Sequence, residues 1–365
     1  IFRRLEAHYT DMCDTEFTIE QGKLWMLQTR VGKRTGAAAL KMAVDMTKGT
    51  GTGSRRWNIS REEALTRVSA DHLDAVLHPH FAGKGTVLTT GLGASPGAAV
   101  GAVYFTADDG VHGAELWTSD GSETGTFRVK DIDPGISGSN PGSLKAMDDR
   151  VYFKAETPAT GAELWVSDGT EPNTQLLMDI NPGQDGSNPS RMTVMGGYLY
   201  FVANDGVHGR ELWRTDGTLA GTEMVFNINP GTAPSEPVNL TVINDQLFFR
   251  ATHAAYGDEL WVSDGTAANT RLVKDINPTV SSTPTDLTPY QSTLFFTADD
   301  GEHGRELWLS DGSEAGTILV MDINPGPDES GVNKVTAGDE GIFFTANDAL
   351  SGFELWKSDG SLAGT

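Results

Sequence analysis

The sequence has a single cysteine among its 365 residues, and aromatic side chains make up only 8% of it. One cysteine cannot form a disulfide within the chain, so packing and hydrogen bonds must hold the fold together. No apolar run approaches the roughly 18 residues that a membrane-spanning helix requires. The composition therefore excludes a disulfide scaffold and predicts no membrane span. Glycine is abundant, with 43 residues, as is typical of a β protein with many turns.

Basic residues are scarce in the second part of the chain. Residues 1–103 carry 13 Lys and Arg against 10 Asp and Glu, a net charge of +3, whereas residues 104–365 carry 14 against 40, a net charge of −26. Such an acidic surface disfavours nucleic acid, whose phosphates need basic neutralisation, and it repels anionic lipid. A basic partner or calcium remains compatible with it.

A repeat of about 48 residues fills the acidic part. The tripeptide Glu-Leu-Trp occurs six times, at successive spacings of 48, 48, 48, 47 and 48 residues, with tryptophans at Trp117, Trp165, Trp213, Trp261, Trp308 and Trp356. This period lies in the range of propeller blades and solenoid units.

Each period predicts four short strands. In residues 198–245 the strands are YLYFVA, GRELWRT, TEMVFNI and NLTVIND, separated by NDGVHG, DGTLAG and the Pro-rich NPGTAPSEP. No helical periodicity appears, which argues against helical solenoids. We therefore predict a mainly β fold: a propeller-like array of six four-stranded repeats, the last one truncated, preceded by a small α+β segment. The segment TVLTTGLG, residues 86–93, is the candidate for the strand that precedes the first copy.

The recurring positions have structural roles in this interpretation. Asp in the Asp-Gly pair after each tryptophan is expected to accept backbone N–H groups, and Gly to take a positive φ. The tryptophan is expected to cover the seam between neighbouring sheets, with Leu on the other face of its strand. Oxygen-rich loops such as TADDGVHG leave calcium binding as a further hypothesis. A shared metal site at His112, His208 and His303 is disfavoured, because each repeat has only one of them.

The unit ELWxSDGxxxGT followed by LVxDINPG resembles the ELWxxDGT repeats of bacterial, often surface or secreted, proteins. The resemblance covers residues 102–365 and implies a binding or structural module, with an unidentified protein or carbohydrate partner.

Within residues 1–34 the N-terminal region predicts a helix and then a hairpin, and further helices follow the hairpin. EFTIE and KLWMLQT are strands joined by Gln-Gly, and helices are expected over residues 35–46, 60–68 and 70–78. DTEFTIEQGKLWMLQTRVGKRT, AVDM, ISREEALTRV, LDAVLHP and GLGASPGAAVG follow in an order that resembles pyruvate, phosphate dikinase. The resemblance implies the end of an ATP-grasp nucleotide domain and the start of a swivelling phosphohistidine domain, within a first domain of residues 1–100 and a repeat domain of residues 101–365.

The same resemblance assigns candidate site residues and cofactors. Asp14 and Glu16 fall on positions that hold nucleotide-bound magnesium, and Gln28 and Arg30 on positions that contact phosphate, so ATP and Mg²⁺ are the implied cofactors. The implied site is incomplete, because the Gly-rich part that covers the phosphates in an ATP-grasp domain does not occur in the sequence. On the residues alone, a hairpin carrying Glu, Gln and Arg could equally be a solvated sheet edge. No catalytic residue is assigned, because the phospho-acceptor motif GGxTSHAA does not occur in the sequence.

Two functions follow. The first is a dikinase-like phosphotransferase fragment or fusion, inactive alone, joined to an acidic propeller-like module. The alternative is a secreted or surface repeat protein without enzymatic activity that could bind calcium. The first implies a cytoplasmic location and the second an extracellular one, so the compartment stays open. Because the chain opens on Ile1 and stops at Thr365 within a repeat, we expect both ends to be cut.

Overall fold

A computed structural model describes the backbone of residues 13–20 and 23–31, and residues 103–365 in full. The first two segments and the last belong to two separate compact units of the chain. The described residues do not include the predicted helix before the hairpin or the predicted helices over residues 35–46, 60–68 and 70–78. They also do not include the segment TVLTTGLG or the predicted boundary at residue 100.

The N-terminal segments form the predicted hairpin. Strand β1 (Cys13–Glu20) pairs antiparallel with β2 (Lys23–Val31), and its register is regular except for an irregularity between Glu16 and Phe17. β-branched and aromatic residues such as Phe17, Ile19 and Trp25 favour an extended backbone at these positions.

Residues 103–365 form six antiparallel sheets, each made of strands that follow one another in the chain. The first sheet contains β3 (Val103–Asp108), β4 (Ala114–Ser119) and β5 (Phe127–Arg128). The second contains β6 (Gly142–Met147), β7 (Arg150–Thr157), β8 (Gly161–Ser167) and β9 (Gln175–Met178). The third contains β10 (Ser190–Met195), β11 (Tyr198–Asn204), β12 (Arg210–Thr215) and β13 (Glu223–Phe226).

The remaining sheets repeat this pattern. The fourth contains β14 (Val238–Ile243), β15 (Gln246–His253), β16 (Gly257–Ser263) and β17 (Arg271–Lys274). The fifth contains β18 (Thr285–Tyr290), β19 (Thr293–Asp299), β20 (Arg305–Ser310) and β21 (Ile318–Met321). The sixth contains β22 (Asn333–Gly338), β23 (Gly341–Asn347) and β24 (Phe353–Ser358). Short 3₁₀ turns lie at Ala267–Asn269 and Leu362–Gly364.

All four strands predicted in residues 198–245 are present, as β11 to β14. The sheets are offset from the repeat by one strand, because β14 pairs with β15 of the next copy and not with β13. In the described part of the chain, the first sheet has three strands. The sixth sheet also has three strands, as predicted for a truncated repeat.

The core lies between successive sheets. In one cluster, Tyr200 and Leu212 of the third sheet pack against Phe249 and Trp261 of the fourth, and all four side chains are buried. The leading strands β6, β10, β14, β18 and β22 lie beside one another in that order. Sheets that stack face to face with adjacent leading strands have the arrangement of propeller blades, so the propeller-like fold is confirmed. None of the described residues belongs to a helix that could span a membrane.

Candidate functional site

The four predicted nucleotide-site residues are opposite one another on the hairpin. Asp14 pairs with Arg30, and Glu16 pairs with Gln28. Residues two apart on a strand, and residues directly paired across strands, share one face of a sheet. The irregularity in the ladder begins only after Glu16. The backbone therefore brings the positions of Asp14, Glu16, Gln28 and Arg30 onto one face at the end of the hairpin away from its turn.

The repeats carry a second recurring group, a fully buried carboxylate. The glutamates of the first five Glu-Leu-Trp motifs have no exposed surface, namely Glu115, Glu163, Glu211, Glu259 and Glu306. Glu211 accepts hydrogen bonds from the backbone N–H of Ile228 at 3.1 Å and of Ser235 at 3.0 Å, and from the Ser235 hydroxyl. These donors lie in the connection that leads from one sheet to the next. Each glutamate therefore fixes the connection that sets the position of the following sheet.

The same arrangement recurs with little variation. Glu163 accepts from the N–H groups of Ile180 and Ser187, and Glu259 accepts from those of Ile276 and Ser282. Burial is the largest influence on these carboxyls and raises the pKa of Glu211 and of Glu259 to about 7, although hydrogen bonds from the serines act in the opposite direction. The pKa of Glu163 is raised for the same reason.

The Asp-Gly pairs after each tryptophan form self-contained turns, as predicted. Asp216 Oδ1 accepts the N–H of Thr218 at 2.9 Å and its hydroxyl at 2.7 Å. Gly217 has a φ of +87°, and a Cβ added there would collide with the hydroxyl of Tyr152 on the preceding sheet. Glycine is therefore required both by the backbone conformation and by the close approach of the two sheets.

In the first, third and fifth sheets, the acidic loop before the strand of the Glu-Leu-Trp motif contains a contact between an aspartate and a histidine of that same loop. Asp109 Oδ1 accepts the N–H groups of Val111 and His112, each at 2.9 Å, while its Oδ2 lies 2.7 Å from His112 Nδ1. Asp205 with His208, and Asp300 with His303, repeat this contact. The hydrogen bond from His112 holds the pKa of Asp109 well below its ordinary value, and the bond to Asp300 raises the pKa of His303.

These loop contacts bear on the calcium hypothesis. The carboxylate oxygens that a calcium ion would need are already used by donors of the same loop, so calcium would have to displace them. Among residues 103–365, no group of three or more His, Cys, Asp or Glu side chains is placed to hold a metal ion. The three histidines remain one per sheet, and each is paired with its own aspartate.

The buried glutamates are the feature that sequence reasoning missed. Structural roles are predicted above for the Asp, Gly and Trp positions, and none is predicted for the glutamate of each motif. A signal was available: a serine recurs 24 residues after four of these glutamates and 23 after Glu259. An acidic residue on a buried strand needs a partner, and a polar residue that recurs at this fixed distance was the candidate.

Comparisons with known proteins match the N-terminal part of the chain to one family. Residues 1–50 match the family model described as pyruvate phosphate dikinase, AMP/ATP-binding domain. The chain is 45% identical over 138 residues to the chloroplastic pyruvate, phosphate dikinase of Flaveria bidentis, covering 37% of this chain and 13% of that protein. It is 45% identical over 140 residues to pyruvate, phosphate dikinase 2 of Zea mays, covering 37% and 15%. The chain thus spans about a seventh of the length of the curated relatives it matches.

Solved structures resemble the sheets only distantly. The β-propeller domain of the Trilobed protease from Pyrococcus furiosus aligns with 67% of this chain and 74% of its own, at 13% identity and a TM-score of 0.38. A puromycin hydrolase aligns with 64% of this chain and 37% of its own, at 13% identity and a TM-score of 0.36. The N-terminal part of the chain resembles pyruvate, phosphate dikinase, and the rest is a β-propeller-like array.

Proposed function

We propose that the chain joins a nucleotide-binding edge of the pyruvate, phosphate dikinase type, in residues 1–100, to an acidic β-propeller-like module in residues 101–365 that has a binding or structural role. The observation that carries the first part is the pairing of Asp14 with Arg30 and of Glu16 with Gln28 across the hairpin. The AMP/ATP-binding description of the family that matches residues 1–50 supports the same chemistry.

The paired positions suit a magnesium-bound polyphosphate. Carboxylate oxygens of Asp14 and Glu16 are the hard ligands that Mg²⁺ prefers. The guanidinium of Arg30 would neutralise phosphoryl charge in a bidentate geometry, and the amide of Gln28 would donate a further hydrogen bond. Mg²⁺ would neutralise phosphate charge when bound, and the four residues would position the phosphates.

Phosphoryl transfer by these 365 residues is not part of the proposal. The dikinase reaction needs a phospho-acceptor histidine, and the sequence contains no GGxTSHAA motif. The three histidines of the acidic loops are engaged with Asp109, Asp205 and Asp300. We expect nucleotide binding without pyruvate-dependent turnover.

The sheets are assigned a binding or structural role because the hydrogen bonds of their recurring carboxylates stabilise connections and turns of the fold. Buried glutamates hold connections, and the aspartates of the turns bind their own loops. The net charge of −26 over residues 104–365 favours a cationic partner, and such binding would weaken as salt is added.

Titration calorimetry with Mg·ATP tests the nucleotide edge. Arg30→Ala should weaken binding about tenfold or more, because a charge-assisted hydrogen bond contributes about 1.5 to 3 kcal/mol. Lys23→Ala is the matched control, since it removes a cation from the same strand at the turn end of the hairpin. Equal affinities of the two variants would refute the assignment, as would turnover of AMP, pyrophosphate and phosphoenolpyruvate by the purified chain.

A further inference from the structure

Aspartate followed by glycine occurs ten times in the sequence, and all ten pairs lie in residues 103–365. This dipeptide is chemically reactive, because glycine has no side chain that would shield its backbone nitrogen from the carboxyl group of the aspartate. The nitrogen can attack that carboxyl group and close a succinimide ring. Whether a given pair reacts therefore depends on how firmly the fold holds the carboxyl group and the N–H group.

In nine of the pairs, hydrogen bonds hold both reacting groups. The glycine N–H donates to a side-chain oxygen of the residue before the aspartate, as Gly217 does to Thr215 Oγ1 at 3.0 Å. The carboxylate accepts the N–H of the residue after the glycine, as Asp216 does from Thr218 at 2.9 Å. The nine aspartates are Asp109, Asp120, Asp168, Asp205, Asp216, Asp264, Asp300, Asp311 and Asp359. Ring closure at any of them must first break bonds to both groups.

The tenth pair, Asp185-Gly186, lies in the connection between the second and third sheets, and its reacting groups are not held in this way. Within residues 103–365, the Asp185 carboxylate accepts no hydrogen bond, and the Gly186 N–H donates none to a side chain. The side chains that bond to the pair use its carbonyl groups, which accept from Asn188 and Asn181. The Asp185 side chain is exposed and can therefore rotate toward the backbone nitrogen.

Packing of the glycine does not distinguish this pair from the others. Gly186 is buried and has a φ of +64°, and a Cβ added there would collide with Ala162. Gly217 is likewise buried and has a φ of +87°. The difference between the two pairs therefore lies in the hydrogen bonds to the aspartate carboxylate and to the glycine N–H.

We propose that Asp185 is a site of spontaneous modification, at which aspartate isomerises to isoaspartate while the other nine Asp-Gly pairs persist. In the first step the Gly186 nitrogen bonds to Cγ of the protonated Asp185 carboxyl group, whose hydroxyl leaves with the N–H proton as water. Water then adds to the main-chain carbonyl carbon of Asp185 and breaks its bond to the nitrogen. The main chain now runs through Cβ and Cγ, and the mass and the oxidation state are unchanged. Neither the proposed nucleotide edge nor a partner of the sheets is needed for this reaction.

The modification would act on the connection that positions the third sheet. Ser187 follows the pair and donates its N–H, at 2.7 Å, and its hydroxyl to the buried Glu163. Isoaspartate adds one carbon atom to the main chain two residues before Ser187. We expect this to weaken the bonds to Glu163, so isomerised chains should unfold at a lower temperature.

Ageing of the purified full chain at neutral pH, followed by peptide mapping, tests the proposal. Isoaspartate in each Asp-Gly peptide is measured by chromatography and electron-transfer fragmentation, which distinguish the two isomers. It should accumulate at Asp185 at least about tenfold faster than at any of the other nine aspartates, a difference of about 1.4 kcal/mol in activation free energy. Asp168, another exposed aspartate of the second sheet, is the matched comparison within the same chain.

Two controls separate the effect of the fold from that of the local sequence. In urea, where the hydrogen bonds are lost, the ten pairs should isomerise at similar rates. Asp185→Glu should remove the modification, since closure of a larger ring is slow, and circular dichroism establishes that this variant is folded. On ageing, the melting temperature should fall for the wild type and stay constant for Asp185→Glu. Equal rates at Asp185 and Asp168 in the folded chain would overturn the proposal, as would an excess at Asp185 that persists in urea.

Discussion

Truncating the motif leucine at two places in the array should have very different consequences for stability. Leu212 is fully buried between the third and fourth sheets, whereas Leu355 occupies the same motif position and is exposed. Leu212→Ala removes three buried carbon atoms, which at about 0.8 kcal/mol each accounts for about 2.4 kcal/mol. The cavity left beside Phe249 and Trp261 adds to this, so we expect a loss of about 3 to 5 kcal/mol in the free energy of unfolding. Leu355→Ala should change it by less than about 0.5 kcal/mol.

Urea denaturation followed by tryptophan fluorescence and by circular dichroism measures both changes. Coincident transitions and unchanged slopes would show that both variants are compared on one unfolding equilibrium. Equal losses of stability in the two variants would show that Leu212 is not stabilised by packing against the following sheet.

Further predictions concern the turns, the buried glutamates and the acidic loops. Gly217→Ala should lower the melting temperature more than Gly110→Ala, since both glycines have positive φ but only the first would collide with Tyr152; equal shifts would contradict the close approach. The raised pKa of Glu211 contributes stability that is present below its ordinary value of 4.5 and is lost as pH rises through about 7. Glu211→Gln should therefore reduce the change of the melting temperature between pH 5 and 8, whereas Glu123→Gln, an exposed control, should not. The same pH dependence in both variants would rule this out. Removing calcium with EDTA should leave the melting temperature unchanged, because the acidic loops satisfy their own carboxylates; a clear drop would revive the calcium hypothesis.

Local features of the fold could be predicted from the sequence because the signals were local. The strands β11 to β14 follow from runs of β-branched and aromatic residues, and the Asp-Gly turns follow from the conformational freedom of glycine. The hairpin of β1 and β2 follows from its two-residue connection. The six-fold recurrence of Glu-Leu-Trp then made the array itself predictable.

Features that depend on residues far apart in the chain could not be predicted from local sequence patterns. The role of Glu211 depends on Ile228 and Ser235, which are 17 and 24 residues further along the chain. The offset between repeat and sheet depends on whether β14 pairs with β13 or with β15, and the sequence of β14 is compatible with either pairing. For the nucleotide edge, a regular two-residue hairpin would place Asp14 opposite Thr29. The irregularity between Glu16 and Phe17 shifts the register by one residue and places Asp14 opposite Arg30, a pairing that the predicted hairpin did not contain. The magnesium and phosphate roles come from the family resemblance.

The central claim is that the repeated motif joins each sheet to the next, and a double-mutant cycle between Leu212 and Phe249 tests it most directly. The two residues lie on different sheets in one buried cluster. The variants are Leu212→Ala, Phe249→Leu and their combination, and the control cycle combines Leu212→Ala with Phe153→Leu, which lies in a different cluster. The account predicts an interaction energy of about 0.5 to 3 kcal/mol for the first cycle and additivity within about 0.5 kcal/mol for the control. Additivity in the first cycle, with both single variants destabilised, would contradict it.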